Sequence, residues 1–270
     1  MITAAQIQTI RDDDPGAVLP GIDTMTGNPY ATSSLLDVTK ITQNSSAPYH
    51  YIPSKNEVVV TQAGAVLSGI NFGDATVLIN ANNVTIKNCT FTGTSSFWAV
   101  DQPTARGATV ENCTFIGSKS PTENNVWISS ALGITIENNT FLNSPADAVA
   151  IQQGVVTGNY FSGQGYLTGA HADAIYVPDT TGPITISDNF IEKTPNAGAQ
   201  GSSNSDLRIT DEFGNTSNVN VTGTYLIGAG FTFSVGARNI NTVTNVSITN
   251  NDVGFGSFGP YYPAPTLPRP

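Results

Sequence analysis

Val84-Thr-Ile-Lys-Asn-Cys-Thr-Phe91 returns as Ala108-Thr-Val-Glu-Asn-Cys-Thr-Phe115 and again as Ile134-Thr-Ile-Glu-Asn-Asn-Thr-Phe141. Shorter copies are Val155-Val-Thr-Gly-Asn-Tyr-Phe161 and Ile184-Thr-Ile-Ser-Asp-Asn-Phe190, with fainter ones at Val219 to Tyr225 and Val246 to Val253. Self-similarity at a period of roughly 20–50 residues marks a chain that stacks one small unit on the next. Inside each copy β-branched residues alternate with Thr, Lys or Glu until Asn-rich residues stop the run, which reads as a strand ending in a corner. A helix is excluded because the apolar spacing is two rather than about 3.6, and because Asn, Thr and Gly are poor helix formers.

A parallel coil accounts for the asparagines. Asn tolerates unusual backbone angles at a tight corner, and its side chain bonds local backbone groups. Corners stacked about 4.8 Å apart also let Asn side chains bond one another along the stack. Asn88, Asn112 and Asn138 are expected to form such a ladder. Phe72, Phe91, Phe115, Phe141, Phe161, Phe190 and Tyr225 are expected to form an internal aromatic stack.

The bulk numbers narrow the partners. Only 11% of the 270 residues are charged and the net charge is −10. Nucleic acid is not expected as a partner, since its phosphates require a basic stripe. No stretch approaches the roughly 18 apolar residues of a membrane span. The segment Ile2 to Ile10 is too polar for a signal peptide and leads into Arg11-Asp-Asp-Asp14. Low charge with abundant Asn, Thr, Ser and Gly nevertheless fits an exported chain, so an extracellular or secreted location is expected. Cys89 and Cys113 hold the same slot in consecutive units. Parallel neighbours give poor disulfide torsion, so two small stacked thiols without a bond are expected.

Residues 1–56 do not fit the repeat and read as an N-terminal cap with an irregular first coil; Ala4 to Ile10 could form one or two helical turns. Such a cap covers the open end of a stack. Coils run over 57–254, and 255–270 is a Pro-rich tail that would end the stack or lie across it. Each coil holds a second strand, seen at Phe97–Val100, Asn125–Ile128, Asp147–Ile151, Asp173–Val177, Asp206–Ile209 and Thr232–Val235. Aligning Trp98, Val126, Val149, Ile175, Leu207 and Phe233 inward leaves Ala99, Trp127, Ala150, Tyr176, Arg208 and Ser234 as an outward column. Gln152 lies in the next outward column. Two adjacent coils carry long insertions at one corner, Ser162 to Ala172 and Ile191 to Ser205. Insertions on a stacked fold gather on one face, often the binding face.

The unusual polar residues sit beside those insertions. His171-Ala-Asp173 enters one strand and Tyr176 faces out from it, while the next coil supplies Asp206, Arg208, Asp211 and Glu212; Lys193 opens the longer insertion. In a parallel stack Tyr176 and Arg208 are about 4.8 Å apart at Cα. This set suits a sugar chain. Arg208 offers a planar fork for a uronate carboxylate. Neutralising that carboxylate acidifies the adjacent C–H, which His171 or Tyr176 could remove as base. Loss of the leaving oxygen is lyase chemistry, and return of the proton to the other face is epimerase chemistry. Alternatively two of Asp173, Asp206, Asp211 and Glu212 serve as acid and base or nucleophile in a glycosidase. Trp127 and Tyr176 offer flat faces for sugar rings, and Gln152, Lys193, Asp206 and Glu212 complete the candidate substrate contacts. Read more plainly, Asp147 and Asp173 are corner residues bonding backbone, Arg208 pairs with Asp206 or Asp211, and Lys193 is a solvated loop residue. No metal site is assigned. The spacing around Asp211-Glu212 is not that of a regular calcium loop, and calcium is the one cofactor its carboxylates leave open.

The repeats Val84–Phe91 and Ile134–Phe141 resemble those of right-handed parallel β-helix proteins of the pectate-lyase-like superfamily, over about residues 57–254. The resemblance implies a single right-handed parallel β-helix of roughly seven to nine coils, all-β, and a polysaccharide substrate for a lyase, glycosidase or epimerase. Gly169-Ala-His171-Ala-Asp173 and Arg208-Ile-Thr210 are distantly similar to motifs of polygalacturonases, but Thr210 stands where that family has Lys, so no catalytic role is carried over. The Tyr-Gly-Phe-Asp-Pro-His phrase of mannuronan epimerases is absent. The leading expectation is a polysaccharide-cleaving enzyme with a lean to β-elimination on a uronate polymer. Rivals are a glycoside hydrolase in the same groove, a non-catalytic glycan-binding or adhesive module, and a trimeric fibre.

Overall fold

The computed structural model describes residues 35–93, 97–117, 126–144, 146–165, 172–193, 203–236, 241–256, 259 and 261–262. Their regular structure is strand, apart from two short 3-10 turns at Val38–Lys40 and Pro53–Lys55. The expected helical turns at Ala4 to Ile10 fall outside the described residues. The strands sort into three sheets of eight, nine and ten strands. The first sheet holds the start of each repeat (Thr85–Lys87, Ala108–Glu111, Ile134–Glu137) and the second its end (Thr90–Thr92, Thr114–Ile116, Thr140–Leu142). The third holds the strands Trp98–Gln102, Val126–Ser130, Val149–Ile151, Ala172–Val177 and Ser203–Ile209 among others. Neighbours within a sheet come from successive coils and pair in parallel, as Thr109 does with Thr85 on one side and Thr135 on the other. The one antiparallel pair among the described residues, Tyr49–Ile52 on Glu57–Val60, closes the N-terminal edge of the third sheet. At the other end Tyr261–Tyr262 pairs with Phe233–Ser234, so part of the Pro-rich tail adds a strand. The all-β parallel helix inferred from the repeat is therefore the observed fold. Among the described residues no helix is long and apolar enough to cross a membrane.

The corner between the first and second sheets shows why the repeat reads as it does. Asn88, Asn112 and Asn138 have φ of 55°, 54° and 56°, in the left-handed region. Gly158, Asp188, Gly223 and Asn250 fill the same slot in later coils with φ of 65°, 54°, 62° and 55°. These are the residue types that tolerate this conformation. The bonded ladder lies one residue later than expected. Cys113 N–H donates to Asn139 Oδ1 at 2.8 Å, Asn139 N–H to Asn159 Oδ1 at 2.9 Å, and Asn159 N–H to Asn189 Oδ1 at 3.0 Å. The left-handed residue supplies the bend, and its successor turns its side chain into the interior. Cys89 and Cys113 occupy this inner slot as free, buried thiols. Their Sγ atoms lie 3.1 Å from the Lys87 carbonyl oxygen and 3.3 Å from that of Glu111.

The aromatic stack runs from Phe72 through Phe91, Phe115 and Phe141 to Phe161, with centroids 4.6 to 4.8 Å apart. It stops there. Phe161 pairs with Ile191, whereas Phe190 pairs with Tyr160. Tyr160, Phe190 and Tyr225 form a second stack one residue over. No residue is lost: Ile184 pairs with Gly154 and Ile191 takes the slot of Phe161, so the aromatic of this coil stands one position earlier, on the other face of its strand. Close stacking also dictates Gly154, where a Cβ would come within 2.0 Å of the Ile134 carbonyl oxygen.

The third sheet required a similar correction. Trp98 pairs with Val126, but the inward column is Val100, Ile128, Val149, Ile175, Leu207 and Phe233. The outward column is consequently Asp101, Ser129, Ala150, Tyr176, Arg208 and Ser234. Trp127 is not in it. Its side chain is fully buried and its ring lies 5.8 Å from that of Phe115. At the start of its strand, beside the corner, the chain turns the indole into the aromatic core.

Candidate functional site

The strands Ala172–Val177 and Ser203–Ile209 carry the site side by side on the third sheet. A corner ladder of carboxylates sets their start. Asp173 N–H donates to Asp147 Oδ1 at 2.7 Å, and Ser205 N–H donates to Asp173 Oδ1 at 2.9 Å. Asp147 and Asp173 do bond backbone, but that of the next coil rather than the local backbone expected of corner residues. Ala172 pairs with Ser203 but Asp173 with Ser205, so the second strand carries an extra residue at this point. Such a bulge re-aims the side chains that follow. Tyr176 then pairs with Arg208, as the stacking of the repeats required.

The guanidinium of Arg208 lies over the Tyr176 ring, with Cζ 4.8 Å from its centroid. Arg208 Nη1 is 3.6 Å from Asp173 Oδ2, and Nη2 is 2.7 Å from Glu212 Oε2. The Tyr176 hydroxyl donates to the same Glu212 oxygen at 2.6 Å. Glu212 is brought there by the turn after Arg208, where its N–H donates to the Pro178 carbonyl at 2.8 Å. Covering differs sharply across the set. Asp173 is sealed, Arg208 and Tyr176 are nearly so, and the Glu212 side chain is 37% exposed. Burial, and next the hydrogen bond to Glu212, push the Tyr176 hydroxyl well above its ordinary value of 10, so Tyr176 is a proton holder and donor at neutral pH. That disfavours the base role the sequence suggested for it.

The other candidates are distributed unevenly. His171 lies outside the described residues, as does the side chain of Lys193. Asp206 and Asp211 are fully buried, and the Asp211 carbonyl accepts from Asn241 Nδ2 at 3.0 Å. Gln152 borders the groove and donates through Nε2 to Asp179 Oδ1. Trp127, in the core, cannot stack a sugar. Among the described residues no group of three or more His, Cys, Asp or Glu converges on a metal-binding position. Two further residues were not among the site residues expected from the sequence, which set Asp101 outward but in the column of Gln152. Asp101 shares the outward column, and Phe213, beside Glu212, is 72% exposed. A correct register for Trp98–Gln102 would have revealed the first; the second has no sequence signal beyond its place after Glu212.

The family model for the right-handed beta helix region matches residues 75–259. The chain belongs to the right-handed β-helix family. That family model covers both site strands and the corners on which the ladders stand. No curated protein matches the chain significantly, and neither does any solved structure.

Proposed function

We propose that this β-helix protein is a secreted, polysaccharide-cleaving enzyme whose substrate lies along the outer face of the third sheet, with Glu212 as the reacting carboxylate. One observation carries the reading. Glu212 Oε2 accepts from both the Tyr176 hydroxyl and Arg208 Nη2, while its side chain remains 37% exposed. Two strong donors fix the orientation of the carboxylate, and its exposure lets a sugar reach it. A carboxylate so held can act as nucleophile on an anomeric carbon or as base toward a water that attacks it; either way the glycosidic C–O bond breaks and the departing oxygen takes a proton from solvent. Hydrolysis is favoured over β-elimination by charge. One positive group, Arg208, already faces two negative ones, Asp173 and Glu212. A uronate could engage the guanidinium only by displacing Glu212, and Tyr176 holds its proton too firmly to serve as base.

The test is a polymer screen that follows reducing ends and the ultraviolet absorbance of unsaturated products together. Hydrolysis gives reducing ends without that absorbance. Glu212→Gln should lower turnover at least about 100-fold while binding persists. Unsaturated products would return the reading to β-elimination with Arg208 on the uronate. Absence of turnover on every polymer, with binding intact, would make the chain a glycan-binding module.

A further inference from the structure

The outward column that contains Tyr176 and Arg208 continues toward the N-terminus through Ala150 and Ser129 to Asp101. Its profile is uneven. Tyr176 and Arg208 are large, Ala150 and Ser129 are small and partly exposed, and Asp101 rises again at the far end. This is a shallow trough with polar groups at both ends. Three strand steps of about 4.8 Å separate Asp101 from Tyr176, so it runs for about 14 Å. The strand that carries Asp101 begins at Trp98, next to Phe97. Phe97 is 51% exposed, and its ring stands edge-to-face on that of Trp98, with centroids 5.0 Å apart and planes at 77°. Trp98 is itself partly exposed. This pair of neighbouring aromatic side chains offers a flat apolar face to a ligand beside the strand's start.

We propose that Phe97 and Trp98, at the start of the strand that carries Asp101, form a remote sugar-binding subsite that stacks a ring of the same glycan whose scissile end lies at Glu212. A pyranose presents an apolar C–H face that the exposed Phe97 ring can meet, while Asp101, three residues beyond Trp98 and so about 10 Å along the strand, faces hydroxyls of the adjoining part of the glycan. The outward column runs in register from Asp101, on the subsite's strand, to Tyr176 and Arg208, which favours a linear oligosaccharide over a separate protein partner. The enzyme would then prefer long chains, with binding made far from the bond that breaks. This inference rests on the carbohydrate reading of the groove.

The chain provides its own reporter. Its two tryptophans are Trp98 and Trp127, and Trp127 is fully buried. Only Trp98 can answer to a sugar or to a soluble quencher. The Glu212→Gln protein, which binds without turning over, is titrated with short and long cello-oligosaccharides and oligogalacturonates, following tryptophan emission, iodide quenching and heat. Long oligomers of one series should shift the Trp98 emission and shield it from iodide. Adding Phe97→Ala should weaken those oligomers roughly threefold to tenfold and leave short ones unchanged. If long oligomers bind by calorimetry but Trp98 does not respond, or if Phe97→Ala binds them as tightly as before, the subsite is overturned and the assignment at Glu212 stands. If no oligomer of either series binds at all, both assignments fall.

Discussion

Removing the Asn159 carboxamide tests what holds successive coils in register. Asn159 Oδ1 accepts from the Asn139 N–H at 2.9 Å and from Asn139 Nδ2 at 3.0 Å. Its Nδ2 donates to the Ile136 carbonyl at 2.9 Å and to Asn189 Oδ1 at 3.0 Å. All of this is buried. In Asn159→Ala the Asn139 N–H is stranded away from water, at about 1–3 kcal/mol. Loss of the remaining bonds adds about 1 kcal/mol each, offset in part by an easier desolvation of alanine, for a total of about 4 kcal/mol. The sequence supplies the control, since Thr224 fills the same inner slot and its Oγ1 lies 3.5 Å from the Asn189 nitrogen. Asn159→Thr should therefore cost about half as much, by keeping one acceptor for the Asn139 N–H. Urea unfolding followed by circular dichroism reads both. A midpoint drop with unchanged slope is expected for each variant. A loss below about 1 kcal/mol for Asn159→Ala would refute the idea that buried amide ladders fix the coil stacking.

Two further outcomes follow from charges on the outer wall. Arg208→Ala leaves Asp173 sealed and without that guanidinium, which should cost about 3–5 kcal/mol, whereas Glu212→Gln at the exposed end should cost less than about 1 kcal/mol; equal losses in thermal melts would contradict the difference in burial. Asp101 is pushed up to about 6, by burial first and by the Glu57 carboxylate second. Below about pH 4 the group is protonated in folded and unfolded chains alike; as pH rises toward 6 the unfolded chain releases its proton first and stability is lost, fully so above 6. The ceiling on that loss is about 3 kcal/mol, reduced to about 1–2 by partial exposure. Asp101→Asn should accordingly raise the melting temperature at neutral pH and leave it unchanged near pH 4, and an equal gain at both would refute the assignment.

The repeat by itself determined the parallel coil. Residues such as Asn88, Asn112 and Asn138 can recur at a corner only if each coil repeats the same backbone bend, and a shared bend forces the strands between corners into parallel register. The same periodicity was enough to set Tyr176 beside Arg208. What a period cannot convey is a shift of one or two residues inside a coil. Tertiary pairing alone decided that Phe190 leaves the Phe161 column, that Trp127 turns into the core, and that Asp101 rather than Ala99 extends the outer wall. Burial was likewise invisible in the chain. Asp173, Asp206, Asp211 and Glu212 look alike as letters, yet one exposed carboxylate among sealed ones emerges only when the turn after Arg208 folds back over Pro178. Sequence distance fixes which residues share a face, while the three-dimensional path of the corners fixes which of them meet water.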